Sequence, residues 1–122
     1  RRIETRCKQL GARMIVGGPG PVDSETWKKT EPDADTYYND NLGKLSAIAG
    51  KIAQENGFVF AGLHPFMMKV MQDAKAALGK DYAVCGGDGV HPGANGHLVM
   101  AYAFLKAMGL DGNIGMLEPV NG

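Results

Sequence analysis

Two short apolar runs, A-R-M-I-V at Ala12 to Val16 and F-V-F-A-G at Phe58 to Gly62, constrain the fold of this chain more than any other feature. Turn residues bound them, Gly11 and Gly17-Gly18-Pro19 around the first and Asn56-Gly57 ahead of the second. Short continuous runs of this kind fit strands buried on both faces, the habit of parallel sheets. Helical patterns surround them. Ile3, Cys7 and Leu10 recur at helical spacing, with Gly11 placed to end that helix in a left-handed conformation. Leu42, Leu45, Ile48, Ala49 and Ile52 mark the apolar stripe of a helix from about Asn41 to Glu55. A third helix is expected from Pro65, burying Phe66, Met67, Val70, Met71, Ala74, Ala77 and Leu78 and stopping at Gly79. Tyr82 to Cys85 reads as a brief extended piece. A last helix from Gly93 or Asn95 to Met108 is expected to bury Leu98, Ala101, Tyr102, Leu105 and Met108.

Helix alternating with apolar strand is the pattern of an α/β layer fold with helices on a largely parallel sheet. Two strands are fewer than the roughly five of a usual open sheet, so residues 1–110 read as the second half of a domain. Leu110 to Gly122 reads as a tail or the start of a further segment. Such a half leaves one edge and one face of its sheet open, and poor solubility is expected unless something covers them. Residues 25–38 carry no sustained period and read as a long surface loop holding Trp27, Tyr37 and Tyr38.

Composition removes several classes of function. Thirteen basic residues balance 13 acidic ones, so the chain has no electrostatic footprint for nucleic acid. No apolar run approaches the ~18 residues of a membrane span. Cys7 and Cys85 are too few for a disulfide framework and have no zinc spacing, and they read as small buried apolar residues.

Chemistry concentrates in G-G-D-G-V-H-P-G-A-N-G, Gly86 to Gly96. A carboxylate bonded to an imidazole Nδ1 fixes the tautomer and leaves Nε2 to accept a proton, so Asp88 and His91 form a candidate pair of orienting carboxylate and general base. The pair meets only if the backbone turns sharply. Gly86, Gly87 and Gly89 permit that turn, Pro92 holds Val90-His91 extended, and the helix beyond fixes the loop. An ordinary surface turn, with Asp88 on local amides and His91 solvated, fits the same spacing. A metal site from Asp88, His91 and His97 lacks the three or four converging ligands that a stable site needs, and His64 simply precedes Pro65.

The run D-G-V-H-P-G-A-N-G-H-L-V-M-A-Y-A-F-L-K-A-M-G, Asp88 to Gly109, closely resembles the last sequence block of the SGNH hydrolases, the GDSL family of esterases and lipases. L-G-A-R-M-I-V-G-G-P-G-P-V-D, Leu10 to Asp23, resembles more loosely the strand and proline-rich loop of the same enzymes. The resemblance implies a flavodoxin-like three-layer α/β/α fold, present here as its C-terminal half, and a Ser-His-Asp triad in which His91 and Asp88 are the last two members. It implies substrates that are esters and thioesters, including O-acetyl groups on sugars, and chemistry that uses no metal or organic cofactor. The bacterial secreted esterases of the family tilt the expected setting toward the outside of the cytoplasm.

The serine block G-D-S, the oxyanion glycine and the G-x-N-D asparagine of that family have no match here. Ser24 follows the proline-rich loop and Ser46 sits inside a helical stripe, so neither occupies the strand-to-helix turn that exposes a nucleophile. Asn39 precedes an aspartate but lacks the Gly-x before it and follows the proline-rich loop, so the asparagine's role is not transferred to it. The serine, glycine and asparagine are therefore expected from a missing N-terminal half or from a second chain. A rival class is a non-catalytic or degenerate α/β module, with Trp27, Tyr37 and Tyr38 stacking on a sugar ring.

Overall fold

The structure, a computed structural model, describes residues 2–30, 37–110 and 112. The described chain is mixed α/β, in the order α1 (Arg2–Gln9), β1 (Ile15–Gly17), α2 (Ser24–Thr30), α3 (Tyr38–Asn56), β2 (Val59–Ala61), α4 (Leu63–Leu78) and α5 (Ala94–Ala107). The strands pair in parallel, Ile15 with Val59, Val16 with Phe60 and Gly17 with Ala61. Both apolar runs thus supply neighbouring strands, as their composition predicts, although each strand is three residues long. The tail beyond Leu110 lies outside the described residues apart from Gly112.

Side-chain alternation along these strands decides which helix meets which face. Phe60 points toward α3, where a Cβ on Gly50 would stand 3.1 Å from its ring. Gly17, one step out of phase with Phe60, points the other way, and a Cβ there would meet the Phe104 ring of α5 at 2.9 Å. Helices therefore pack on both faces of the strand pair. The core lies between α4, α5 and the segment joining them, built from Leu63, Met67, Met71, Val84, Cys85 and Ala103.

Several expectations need correction. Residues 25–30 are not loop: α2 begins at Ser24 because Asp23 caps it, accepting the Thr26 amide at 3.3 Å and the Thr26 hydroxyl at 2.9 Å, while its carbonyl accepts the Trp27 amide. Seven residues are too few to show an apolar period, and residues 31–36 of that expected loop lie outside the described residues. Tyr82 to Cys85 forms no strand: Tyr82 and Ala83 belong to no regular element, and Val84 and Cys85 lie in a turn, buried as core.

The faces of α3 and α5 are also reversed from expectation. Leu45, Ile48 and Ile52 of α3 are exposed while Ser46 and Ala53 are buried. In α5, Leu98, Ala101, Tyr102, Leu105 and Met108 are exposed, and Gly96 and Ala103 face inward. The reason is steric: a glycine at each contact, Gly50 of α3 against Phe60 and Gly17 of β1 against Phe104 of α5, lets helix and strand approach closely, and among the described residues the large apolar stripes have no cover. In α4 the expected stripe holds at Met67 and Met71, but the helix starts at Leu63, and Ala77 and Leu78 stay exposed.

Candidate active site

The Gly86–Pro92 loop is shaped by two left-handed glycines. Gly86 has φ +82° and Gly89 φ +80°, a region that side chains rarely adopt, and the Gly89 amide closes a turn on the Gly86 carbonyl at 3.1 Å. Space makes the same demand. A Cβ on Gly86 would overlap the His91 carbonyl, and one on Gly89 would meet the Trp27 amide at 2.6 Å and the Asp23 carbonyl at 2.7 Å. Gly87 corrects the expectation, because its φ is ordinary for any residue and nothing lies near its missing Cβ.

The turn brings Asp88 and His91 together. Asp88 Oδ1 accepts the amides of Val90 and His91, each at 2.9 Å, and its Oδ2 lies 2.7 Å from His91 Nδ1. Those amide bonds and the imidazole contact hold the carboxyl well below its ordinary value of 3.8, so it is ionised throughout the neutral range. An ionised carboxylate only accepts, so the proton of this contact sits on Nδ1. The His91 side chain is 85% exposed, and Nε2, on the opposite side of the ring, faces solvent. A carboxyl-carbon NMR titration is expected to place the Asp88 midpoint well below 3.8, and His91→Ala is expected to raise it while leaving it depressed by the two amides; an Asp88 midpoint at the ordinary value contradicts the geometry.

The loop is anchored to the segment after β1. The Asp23 amide donates to the Gly89 carbonyl at 2.8 Å, and the Cys85 thiol lies 3.5 Å from the Pro21 carbonyl. Burial, helped by the Asp23 charge, pushes that thiol up to about 11, which makes Cys85 an inert packing residue. Asn39 fastens the same segment from α3: its Oδ1 accepts the Val22 amide at 3.0 Å, while its Nδ2 donates to the Val22 carbonyl at 2.8 Å and the Ser24 hydroxyl at 3.1 Å. Asn39 is thus engaged as a brace.

Asp23 is 1% exposed and carries the buried charge beneath this anchor. Burial raises its carboxyl, but Lys75 Nζ at 2.8 Å and the Thr26 hydroxyl and amide outweigh it, leaving the group below 3.8. Lys75 also reaches Glu25 at 2.9 Å. Sequence reasoning missed this pair, whose only local signal is an aspartate opening D-S-E-T. Lys75→Met leaves the buried carboxylate without its cation and is expected to cost about 3 kcal/mol in urea unfolding at neutral pH. Because the folded-state value of Asp23 is depressed, its contribution is present above the ordinary carboxylate value and is lost as pH falls through the folded value; a Lys75→Met loss that does not shrink on acidification contradicts the pair.

A cavity of about 550 Å³ lies between α2 and α4, lined by Asp23, Ser24, Glu25, Asn39, Met68 and Lys75 among others. It does not touch Asp88 or His91, and the ionic and amide bonds just described engage its Asp23, Ser24, Glu25, Asn39 and Lys75. A smaller cleft of about 280 Å³ lies beside the candidate pair, bordered by Val90 and Pro92, the residues on either side of His91. Neither serine hydroxyl bonds to His91 among the described residues: Ser24 meets Asn39, and Ser46 is 4% exposed inside α3. Trp27 and Tyr38 pack edge to face with centroids 5.0 Å apart. Among the described residues there is no cluster of three or more His, Cys, Asp or Glu disposed to hold a metal ion, and no helix long and apolar enough to cross a membrane. No protein-family model matches this chain, and no curated protein matches it.

Proposed function

We propose that this chain carries the general base and the orienting carboxylate of a serine ester hydrolase of the SGNH type. The observation that supports the reading most is the 2.7 Å contact between His91 Nδ1 and an Asp88 oxygen, with the imidazole's other nitrogen open to solvent. In this reading His91 Nε2 takes the proton of a serine hydroxyl as its oxygen attacks the ester carbonyl, and the carbonyl π pair moves onto the oxyanion. Collapse expels the alcohol oxygen, which receives the proton back from Nε2. Water, deprotonated by the same nitrogen, then attacks the acyl-serine carbonyl, and collapse of that second oxyanion breaks the bond to the serine oxygen, which takes the proton back from Nε2 as the acid leaves. Asp88 stays ionised throughout and stabilises the imidazolium.

The nucleophile and the oxyanion donors come, in this reading, from chain outside residues 1–122 or from a second chain. The fold is then the C-terminal half of a flavodoxin-like three-layer domain, an assignment supported by the parallel pair with α3 and α5 on opposite faces. Substrates are esters, O-acetylated carbohydrate among them. The test is labelling of the assembled protein with a serine-directed fluorophosphonate, followed by peptide mapping. One labelled serine outside this chain is the expected result; an unlabelled assembly, or label on Ser24 or Ser46, overturns the reading.

A further inference from the structure

We propose that Asp23 and Lys75 are positioning residues for the Asp88–His91 pair, their ion pair fixing the backbone from which the loop hangs; the effect on turnover rests on the hydrolase reading above. The Asp23 amide donates to the Gly89 carbonyl at 2.8 Å, and the Asp23 carbonyl accepts the Trp27 amide at 2.8 Å. Gly89 packs onto this junction so closely that a Cβ on it would stand 2.7 Å from the Asp23 carbonyl oxygen. Backbone lies against backbone there, with no side chain between to absorb a shift. Gly89 directly follows Asp88, whose Oδ1 accepts the Val90 and His91 amides at 2.9 Å each, so residues 88–91 move as one turn.

What holds Asp23 in place is its charge. The buried carboxylate takes the Thr26 amide and hydroxyl from α2 and Lys75 Nζ from α4, the last at 2.8 Å. Lys75 thereby ties the anchor to a helix that is itself fixed in the core through Met67 and Met71. A buried carboxylate stripped of its cation is drawn toward water, and the cavity of about 550 Å³ that Asp23 and Lys75 both line gives it a route. Its backbone follows, carrying the Gly89 carbonyl. The Asp88 and His91 side chains are 45% and 85% exposed, so the shape of the turn, more than packing, keeps them together.

The test is ring-proton and ring-nitrogen NMR of His91 in the assembled protein, with kcat and KM measured alongside, under conditions where each variant is folded. Lys75→Met is expected to lose the signal of the carboxylate-bonded Nδ1 proton and to lower kcat about 10²-fold with KM within about twofold of the parent. A residue that only stabilises the fold leaves that signal unchanged in folded protein. Lys75→Arg keeps the cation and has room in the adjoining cavity, so it is expected to retain the signal and most of the turnover. Lys69→Met removes another α4 cation, one paired with the exposed Asp73, and is expected to change neither readout. A parental signal in folded Lys75→Met, or an equal loss in Lys69→Met, overturns the proposal. Should Lys75→Met fail to fold, Thr26→Val removes only the 2.9 Å hydroxyl bond to Asp23 and is expected to move the same resonances; parental positions there overturn the proposal as well. Two further outcomes separate the readings. Turnover that requires His91 but is untouched by Lys75→Met overturns the positioning role and spares the hydrolase. Loss of the Nδ1 signal in Lys75→Met of a protein without ester turnover or a labelled serine overturns the hydrolase and leaves the positioning role standing.

Discussion

If the proposed reading holds, His91→Ala is expected to abolish ester turnover by the assembled protein, and Asp88→Asn is expected to lower kcat by up to about 10⁴-fold with KM nearly unchanged. The expected size of the asparagine effect follows from how the two oxygens of Asp88 are used. Oδ1 accepts two backbone amides and Oδ2 meets one imidazole nitrogen. An asparagine keeps one acceptor oxygen, and the two amides claim it because two bonds outweigh one. Its NH₂ group then faces Nδ1, which must accept, so the ring proton moves to Nε2, the nitrogen that has to take the serine proton. Asp88→Ala removes the orienting charge without imposing that tautomer, and it is expected to be the milder change in kcat. Ring nitrogen shifts provide the second readout, with Nε2 protonated in the asparagine variant and Nδ1 protonated in the parent. An asparagine variant with parental kcat, or with the parental tautomer, rules out Asp88 as the orienter.

The same loop shows what was legible in the sequence. Glycines around an Asp-x-x-His unit implied a turn that aims two side chains, and Gly86 and Gly89 do adopt conformations that other residues avoid. The two apolar runs likewise implied paired parallel strands, and they do pair in parallel, but the expected burial on both faces is not met: Ile15, Val16 and Phe60 are half-buried and Val59 is exposed. What sequence pattern could not supply was the identity of the covered surface. Periodicity marked apolar stripes on α3 and α5 that the structure leaves largely exposed, because helix approach is decided by Gly50 against Phe60 and by Phe104 against Gly17, which are properties of pairs of elements. The Asp23–Lys75 pair was hidden for a similar reason: its partners stand 52 residues apart, and no local pattern joins them. α2 escaped because a cap, not a stripe, defines it.

Gly86→Ala is expected to cost on the order of 4 kcal/mol and to remove turnover, whereas Gly87→Ala, one residue along, is expected to stay within about 0.5 kcal/mol of the parent with full activity. Two penalties combine at Gly86. Its φ of +82° is strained for any side chain, and the added carbon overlaps the His91 carbonyl. That overlap involves backbone, which cannot swing aside as a flexible side chain does, so relief requires His91 to move away from Asp88. Strand-to-loop anchors resist the movement, since the Gly89 carbonyl is held by the Asp23 amide at 2.8 Å and Asp23 is itself fixed by Lys75. At Gly87 neither penalty applies. Urea unfolding and ester turnover of the two variants, measured side by side, separate a loop built around one left-handed residue from a loop that is merely rich in glycine. Equal behaviour of the two alanines would show that the turn at Gly86 does not hold the imidazole in place.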